Sequence, residues 1–129
     1  MRLLLDTHVL IWAVQSPDLL GATARSAITA SDAEVYASHV SLWEMANKRS
    51  IGRLDEIDRR ASDWFDHFVP RSGLRHLPIS AAHVGAVEDL PRLHGDPFDR
   101  LLVAQARHDR LTMITRDSQV AQYDIDVVW

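Results

Sequence analysis

The sequence predicts an α/β protein whose five-stranded parallel sheet, in the order 3-2-1-4-5, is flanked by helices. Three observations carry that expectation. Short apolar runs alternate with segments of helical periodicity, the pattern of βαβ units. Turn formers (Pro17, Gly52, Pro70, Gly73 and Pro91) fall between them. The chain shows no internal repeat, low-complexity tract or linker, and its 129 residues, 47% hydrophobic and 25% charged, match one compact domain, 1–129.

The elements follow in order. Residues 2–5 form a short apolar run, read as a buried strand. Residues 7–14 continue as a helix that Pro17 limits, and residues 21–31 form a second, Ala-rich helix. Residues 34–37 are a strand, residues 38–50 a helix that Gly52 breaks. Residues 56–68 are read as helical because Ile57, Ala61, Trp64, Phe65 and Phe68 recur at spacings of three and four. After the turn at Pro70 and Gly73, residues 74–79 alternate as a strand. Ser80 caps a helix that Pro91 closes beyond residue 90. Residues 97–110 make a strong amphipathic helix, with Leu101, Leu102, Ala104, Gln105 and His108 progressing around it. Residues 111–115 are a buried strand, 118–122 a helical turn and 125–129 a last strand.

Composition narrows the chemistry. There is no cysteine, which excludes disulfides, thiolate metal sites and cysteine nucleophiles. Residues 1–15 place Arg, Asp and His around a short apolar run with no small-residue cleavage site after it. No secretory leader is expected, and the protein is read as cytoplasmic. The formal net charge of −4 argues against an unassisted, charge-driven nucleic-acid binder. It does not argue against an enzyme holding a divalent cation, because the ion reverses the local field. Thirteen of the fourteen basic residues are Arg, which suits phosphate recognition and equally reflects composition bias.

Four carboxylates fall at telling places. Asp6 ends the first strand, Glu44 lies in the helix after the second, Asp99 in the first turn of the helix before strand four, and Asp117 after strand four. Open α/β sheets bind ligands beyond the carboxyl ends of their strands, where the strand order reverses. With the order 3-2-1-4-5 that point lies between strands one and four, so Asp6 and Asp117 face each other there. Clustered carboxylates repel one another and are costly to ionise together unless a cation compensates. An all-oxygen donor set selects a hard ion, Mg²⁺ or Mn²⁺. Such ions activate water and stabilise charge on a phosphate, so the chemistry implied is phosphodiester hydrolysis. Singly, each residue also reads as ordinary structure. Asp6 and Asp117 could be helix caps, and Glu44 part of a solvated face with Lys48 at i+4. Asp96 before Pro97 is a strong helix start in itself, with Asp99 favouring the helix dipole.

The hydroxyls Thr7, Ser38, Ser41 and Thr115 lie near these carboxylates in sequence. They are read as orienting ligands or as caps and backbone partners. The seven histidines are scattered without a helical metal spacing; His8 and His94 flank the site in sequence, and all are read as structural. Trp12, Trp43, Trp64 and Trp129 are read as core or interface residues, with base stacking the alternative that nothing in the sequence supports.

Four segments carry a family likeness: residues 1–12 (MRLLLDTHVLIW), 38–48 (SHVSLWEMANK), 94–106 (HGDPFDRLLVAQA) and 111–117 (LTMITRD). In this order and spacing they resemble PIN domains, and the third is similar to VapC-type toxins. The resemblance implies a five-stranded parallel sheet and Mg²⁺- or Mn²⁺-dependent RNA cleavage. It also implies inhibition by a cognate VapB-type antitoxin, and a homodimer. It carries Asp6, Glu44, Asp99 and Asp117 over as the acidic catalytic and metal-site residues. Asp96 matches only the DPFDR subgroup and is placed at the site's edge, holding metal through water.

In the expected mechanism, Asp6 and Asp99 bind metal, Glu44 and Asp117 complete the cluster, and RNA phosphates are steered by Arg49, Arg53, Arg59, Arg60 and Arg100. Two other function classes fit less well. A receiver or aspartate-nucleophile phosphatase would want Asp at position 8, which is His, or a Lys late in the chain, and no Lys follows residue 48. A non-catalytic module could use the same acidic pocket to bind a partner's Arg side chain.

Overall fold

The structure is a computed structural model and describes residues 1–93 and 95–129; His94 lies outside the described residues. In chain order the elements are β1 (Arg2–Leu5), α1 (Thr7–Gln15), α2 (Ala22–Thr29), β2 (Glu34–Ser38), α3 (His39–Ser50) and α4 (Ala61–Arg71). They continue with β3 (Arg75–Leu77), α5 (Ala81–Ala86), α6 (Pro97–Asp109), β4 (Thr112–Ile114) and β5 (Val127–Val128). The five strands form one parallel sheet in the order β3-β2-β1-β4-β5, as expected.

Strand β1 lies at the centre, with Leu4 opposite Tyr36 of β2 on one side and Met113 of β4 on the other. Its run of leucines is unbroken because both faces are covered. Leu3 and Leu5 point into a cluster with Leu10 of α1, Met45 of α3 and Trp64, Phe65 and Val69 of α4. Leu4 points the other way, joining Val40, Leu102, Val103, Ala106 and Met113. Alternation along one strand thus feeds two cores, one under each helical layer. Among the described residues no helix is long and apolar enough to cross a membrane.

Where the elements differ from expectation, tertiary contacts decide. The helix expected from residue 56 begins at Ala61. Leu54 and Ile57 are buried, so the apolar spacing was real, but their segment is a loop. Its carbonyls are satisfied from other elements: Gln15 Nε2 donates to Glu56 O at 2.8 Å and Arg49 Nη1 to Ile57 O at 3.1 Å. Helix α4 also runs past Pro70 to Arg71 before Gly73 turns the chain at φ +72°. Helix α5 stops at Ala86 and tightens into a 3-10 turn, Val87–Asp89. The expected turn at 118–122 is a 3-10 turn at Val120–Gln122, and another lies at Pro17–Leu19. Strands β3 and β5 are shorter than expected, and β2 extends to Ser38.

Candidate metal centre

The chain leaves β1 at Asp6, whose backbone amide donates to Ile114 O of β4 at 3.1 Å. That bond ties the carboxyl ends of β1 and β4 together where the strand order reverses. Asp6 is also the N-cap of α1. Its Oδ1 accepts from the Thr7 amide at 2.8 Å, and its Oδ2 accepts from Thr115 Oγ1 at 2.7 Å. Both oxygens are therefore aimed by their partners. Burial pushes the Asp6 carboxyl up, the bonds from Thr115 and Thr7 oppose this, and the charges of Glu44 and Asp117 add to the rise.

Glu44 is only 5% exposed, so the solvated-face alternative fails. Ser38 starts α3 by accepting from the Val40 amide, which turns Ser41 and Glu44 toward α1. Thr7 Oγ1 lies 2.7 Å from Glu44 Oε1 and 2.9 Å from Ser41 Oγ. One hydroxyl has one proton, so Thr7 donates to the carboxylate and accepts from Ser41. Glu44 Oε2 takes Lys48 Nζ at 2.5 Å. Burial lowers the Lys48 ammonium, but the bond and charge of Glu44, with Asp96 and Asp99, outweigh it and hold the group above its ordinary value.

Helix α6 supplies the third wall. Asp96 caps it, accepting from the Phe98 and Asp99 amides at 2.9 and 3.1 Å. Asp117 in turn accepts from the Gln119 amide at 2.9 Å, and its own amide donates to Thr115 Oγ1. Asp6, Glu44, Asp96, Asp99 and Asp117 all line one cavity of about 630 Å³. Burial, then the charges of Asp6, Asp96, Glu44 and Asp117, push the Asp99 carboxyl up to about 7. Acidic charge thus exceeds what Lys48 can offset, and every donor is a hard oxygen, so the set fits Mg²⁺ or Mn²⁺.

A PIN-domain family model matches residues 3–126. The chain belongs to the PIN-domain family. Solved structures show the same fold. A chain of the VapBC2 complex from Rickettsia felis, bound to a promoter DNA fragment, gives a TM-score of 0.70 at 16% identity, covering 99% of this PIN domain and 98% of that chain. A chain of DNA-bound VapBC from Salmonella typhimurium gives 0.68 at 15% identity, with 99% and 97% covered. A chain of FitAcB from Neisseria gonorrhoeae gives 0.58 at 17% identity, with 98% and 96% covered. No curated protein matches.

The arginines expected to steer RNA are spread over this PIN domain, and none of the five lines the acidic cavity. Arg49 and Arg60 line a separate groove beside Trp43. Arg53 is exposed, while Arg59 pairs with Asp58 and lies 5.1 Å from the Phe68 ring centroid. Arg100 donates to Pro91 O, Val87 O and Tyr123 Oη, tying the start of α6 to its neighbours. Sequence reasoning missed residues that do line the cavity: Trp12, Glu56, Arg116 and Ser118. Glu56, Arg116 and Ser118 lie outside the helices and strands, and the i,i+4 spacing of Trp12 from His8 does not by itself separate a cavity wall from an ordinary helix face.

It also missed a second cluster. Ligand atoms of His83, His108 and Asp109 lie within 4.8 Å of one another, the only such group among the described residues. The hydrogen bonds argue against a cation there. His83 Nδ1 accepts from the Ser80 amide at 3.1 Å in a capping box, so Nε2 carries the proton and donates to Asp109 Oδ2 at 2.9 Å. A metal at Nε2 would leave the ring no proton at all. Burial raises the Asp109 carboxyl, yet the bonds from His108 and His83 prevail and hold it below its ordinary value.

Proposed function

We propose that this PIN domain is a Mg²⁺- or Mn²⁺-dependent endoribonuclease, the toxin of a toxin–antitoxin pair held inactive by a VapB-type antitoxin. The observation that carries the reading is the convergence of Asp6, Glu44, Asp99 and Asp117 on one cavity at the switch point of the sheet. Membership of the PIN family supports a nuclease. Near-complete coverage of chains from VapBC complexes supports the toxin role with an antitoxin partner, and a homodimer is what the family resemblance implies.

Asp6 and Asp99 would hold the ion, with Glu44 and Asp117 completing the cluster and Asp96 reaching it through water. The bound ion supplies activation of water and neutralisation of charge on the phosphate. The protein does the rest. Thr7 and Thr115 fix the carboxylates of Glu44 and Asp6 in direction. Lys48 stops Glu44 from repelling the substrate phosphate outright. A carboxylate of the cluster takes the proton of the attacking water.

The test is cleavage of total cellular RNA by antitoxin-free protein with Mn²⁺, with EDTA, and with Asp6→Asn. Cleavage should need the metal, and Asp6→Asn should lower it by more than about 100-fold without loss of fold. Undiminished cleavage in Asp6→Asn would sink the assignment. A second reading has its own support, since Lys48 shows that the cavity accepts a basic side chain. A non-catalytic module that seats a partner's Arg would be indifferent to Mn²⁺ in a binding titration.

A further inference from the structure

We propose that the wall of the cavity formed by His8, Trp12 and Arg116 is a nucleobase subsite, through which this PIN domain takes RNA single-stranded with an unstacked base beside the reacting phosphate. This rests on the ribonuclease reading above. The floor of the cavity is acidic, but this wall is not. His8 and Trp12 stand at i,i+4 on α1, with ring centroids 5.9 Å apart, and Trp129 continues the row 6.1 Å beyond. The helix buries Val9, Leu10 and Ile11 instead, which leaves Trp12 half-buried and His8 exposed. Core packing therefore does not account for an indole on this face.

Arg116 lies over that indole, its guanidinium carbon 4.7 Å from the ring centroid. Lys48 and Arg116 are the Lys and Arg residues lining the cavity, and Lys48 is engaged by Glu44. Among the described residues Arg116 makes no salt bridge, so its charge is the one left for a phosphate. Its neighbour Asp117 belongs to the acidic floor, which puts the stacking surface next to the hydrolytic groups. Aromatic rings and guanidinium planes are the surfaces on which unpaired bases stack, while a duplex keeps its bases stacked inside. The same floor would repel an acidic peptide.

The experiment measures anisotropy of a fluorescein-labelled, mixed-sequence RNA of about 12 nucleotides, single-stranded or annealed to its complement, with the non-cleaving Asp6→Asn protein. Single-stranded RNA should bind at least about tenfold more tightly than duplex. Added Trp12→Ala should weaken single-strand binding about tenfold, and Trp12→Phe should keep most of it. Arg116→Ala should reduce the slope of log affinity against log salt by about one. Should Trp12→Ala melt early, Trp12→Phe and Arg116→Ala decide instead. Equal affinity for duplex, parental binding by Trp12→Ala and Arg116→Ala, or equal competition by polyglutamate would overturn the subsite. Metal-dependent RNA cleavage by the unmutated protein is read in parallel. Cleavage with an indifferent wall counts against this inference alone, whereas wall-dependent binding without cleavage or metal uptake counts against the nuclease reading alone.

Discussion

Burial and four neighbouring carboxylates keep a proton on Asp99 up to a pH of about 7, whereas the unfolded chain releases it near 3.8. Between those values the folded state binds more protons than the unfolded one, so stability falls as pH rises through that window. Asp6 shifts in the same direction. On the proposed reading a divalent cation would replace the proton and reverse the trend. Melting followed in EDTA should therefore show Tm dropping from acidic to neutral pH, with Mn²⁺ restoring it most above pH 7. Asp99→Asn should flatten the EDTA profile and abolish the Mn²⁺ increment. A flat profile in the unmutated protein would show that the carboxylates are not coupled. At this scale the shared cavity of Asp6, Asp99 and Asp117 was legible because strand ends and a helix start place them. The pairing of Glu44 with Lys48 was also legible from their i,i+4 spacing, but its burial was not, since that depends on Thr7 arriving from another element. The bond of His83 to Asp109 joins two helices and left no trace in the spacing.

Element boundaries are held by a few polar side chains. Ser38 ends β2, caps α3 and donates to Gln105 Oε1 of α6, all while fully buried. Ser38→Ala should cost about 1–3 kcal/mol in chemical denaturation, because it removes a cap and strands a buried amide oxygen. Loss below about 0.5 kcal/mol would mean that Gln105 finds another donor. Helix α6 is capped by Arg110, which holds the left-handed conformation at φ 55° so that the Leu111 amide can reach Ala106 O. Arg110→Gly should raise stability by about 0.5 kcal/mol, the relieved strain outweighing the added freedom of the unfolded chain. Caps at Asp6, Ser80 and Asp96 were readable from residue type alone. The start of α4 was not, because Leu54 and Ile57 keep a helical spacing while Gln15 and Arg49 satisfy their loop.

The strand order was legible at the scale of the molecule because alternating strands and helices leave few arrangements once crossovers share one hand. Strand lengths were less so: β5 keeps two paired residues although the apolar run around it is longer. The two cores should respond separately to truncation. Leu102 is fully buried against Leu4 and Met113, and Leu102→Ala should cost about 2–5 kcal/mol in urea denaturation.

The pairing of β1 with β4 sets a timetable as well as a shape. Asp6 and Thr115 are 109 residues apart in the chain, yet their side chains share one hydrogen bond. At about 5–20 residues per second, a ribosome needs roughly 5–20 s between making one and the other. In that interval β2 emerges early and can pair with β1 long before β4 exists, and the acidic cavity lacks Asp117 throughout and Asp99 until late. Until Asp117 has been made the acidic cavity cannot assemble, so on the proposed reading there is no nuclease for an antitoxin to restrain before that point.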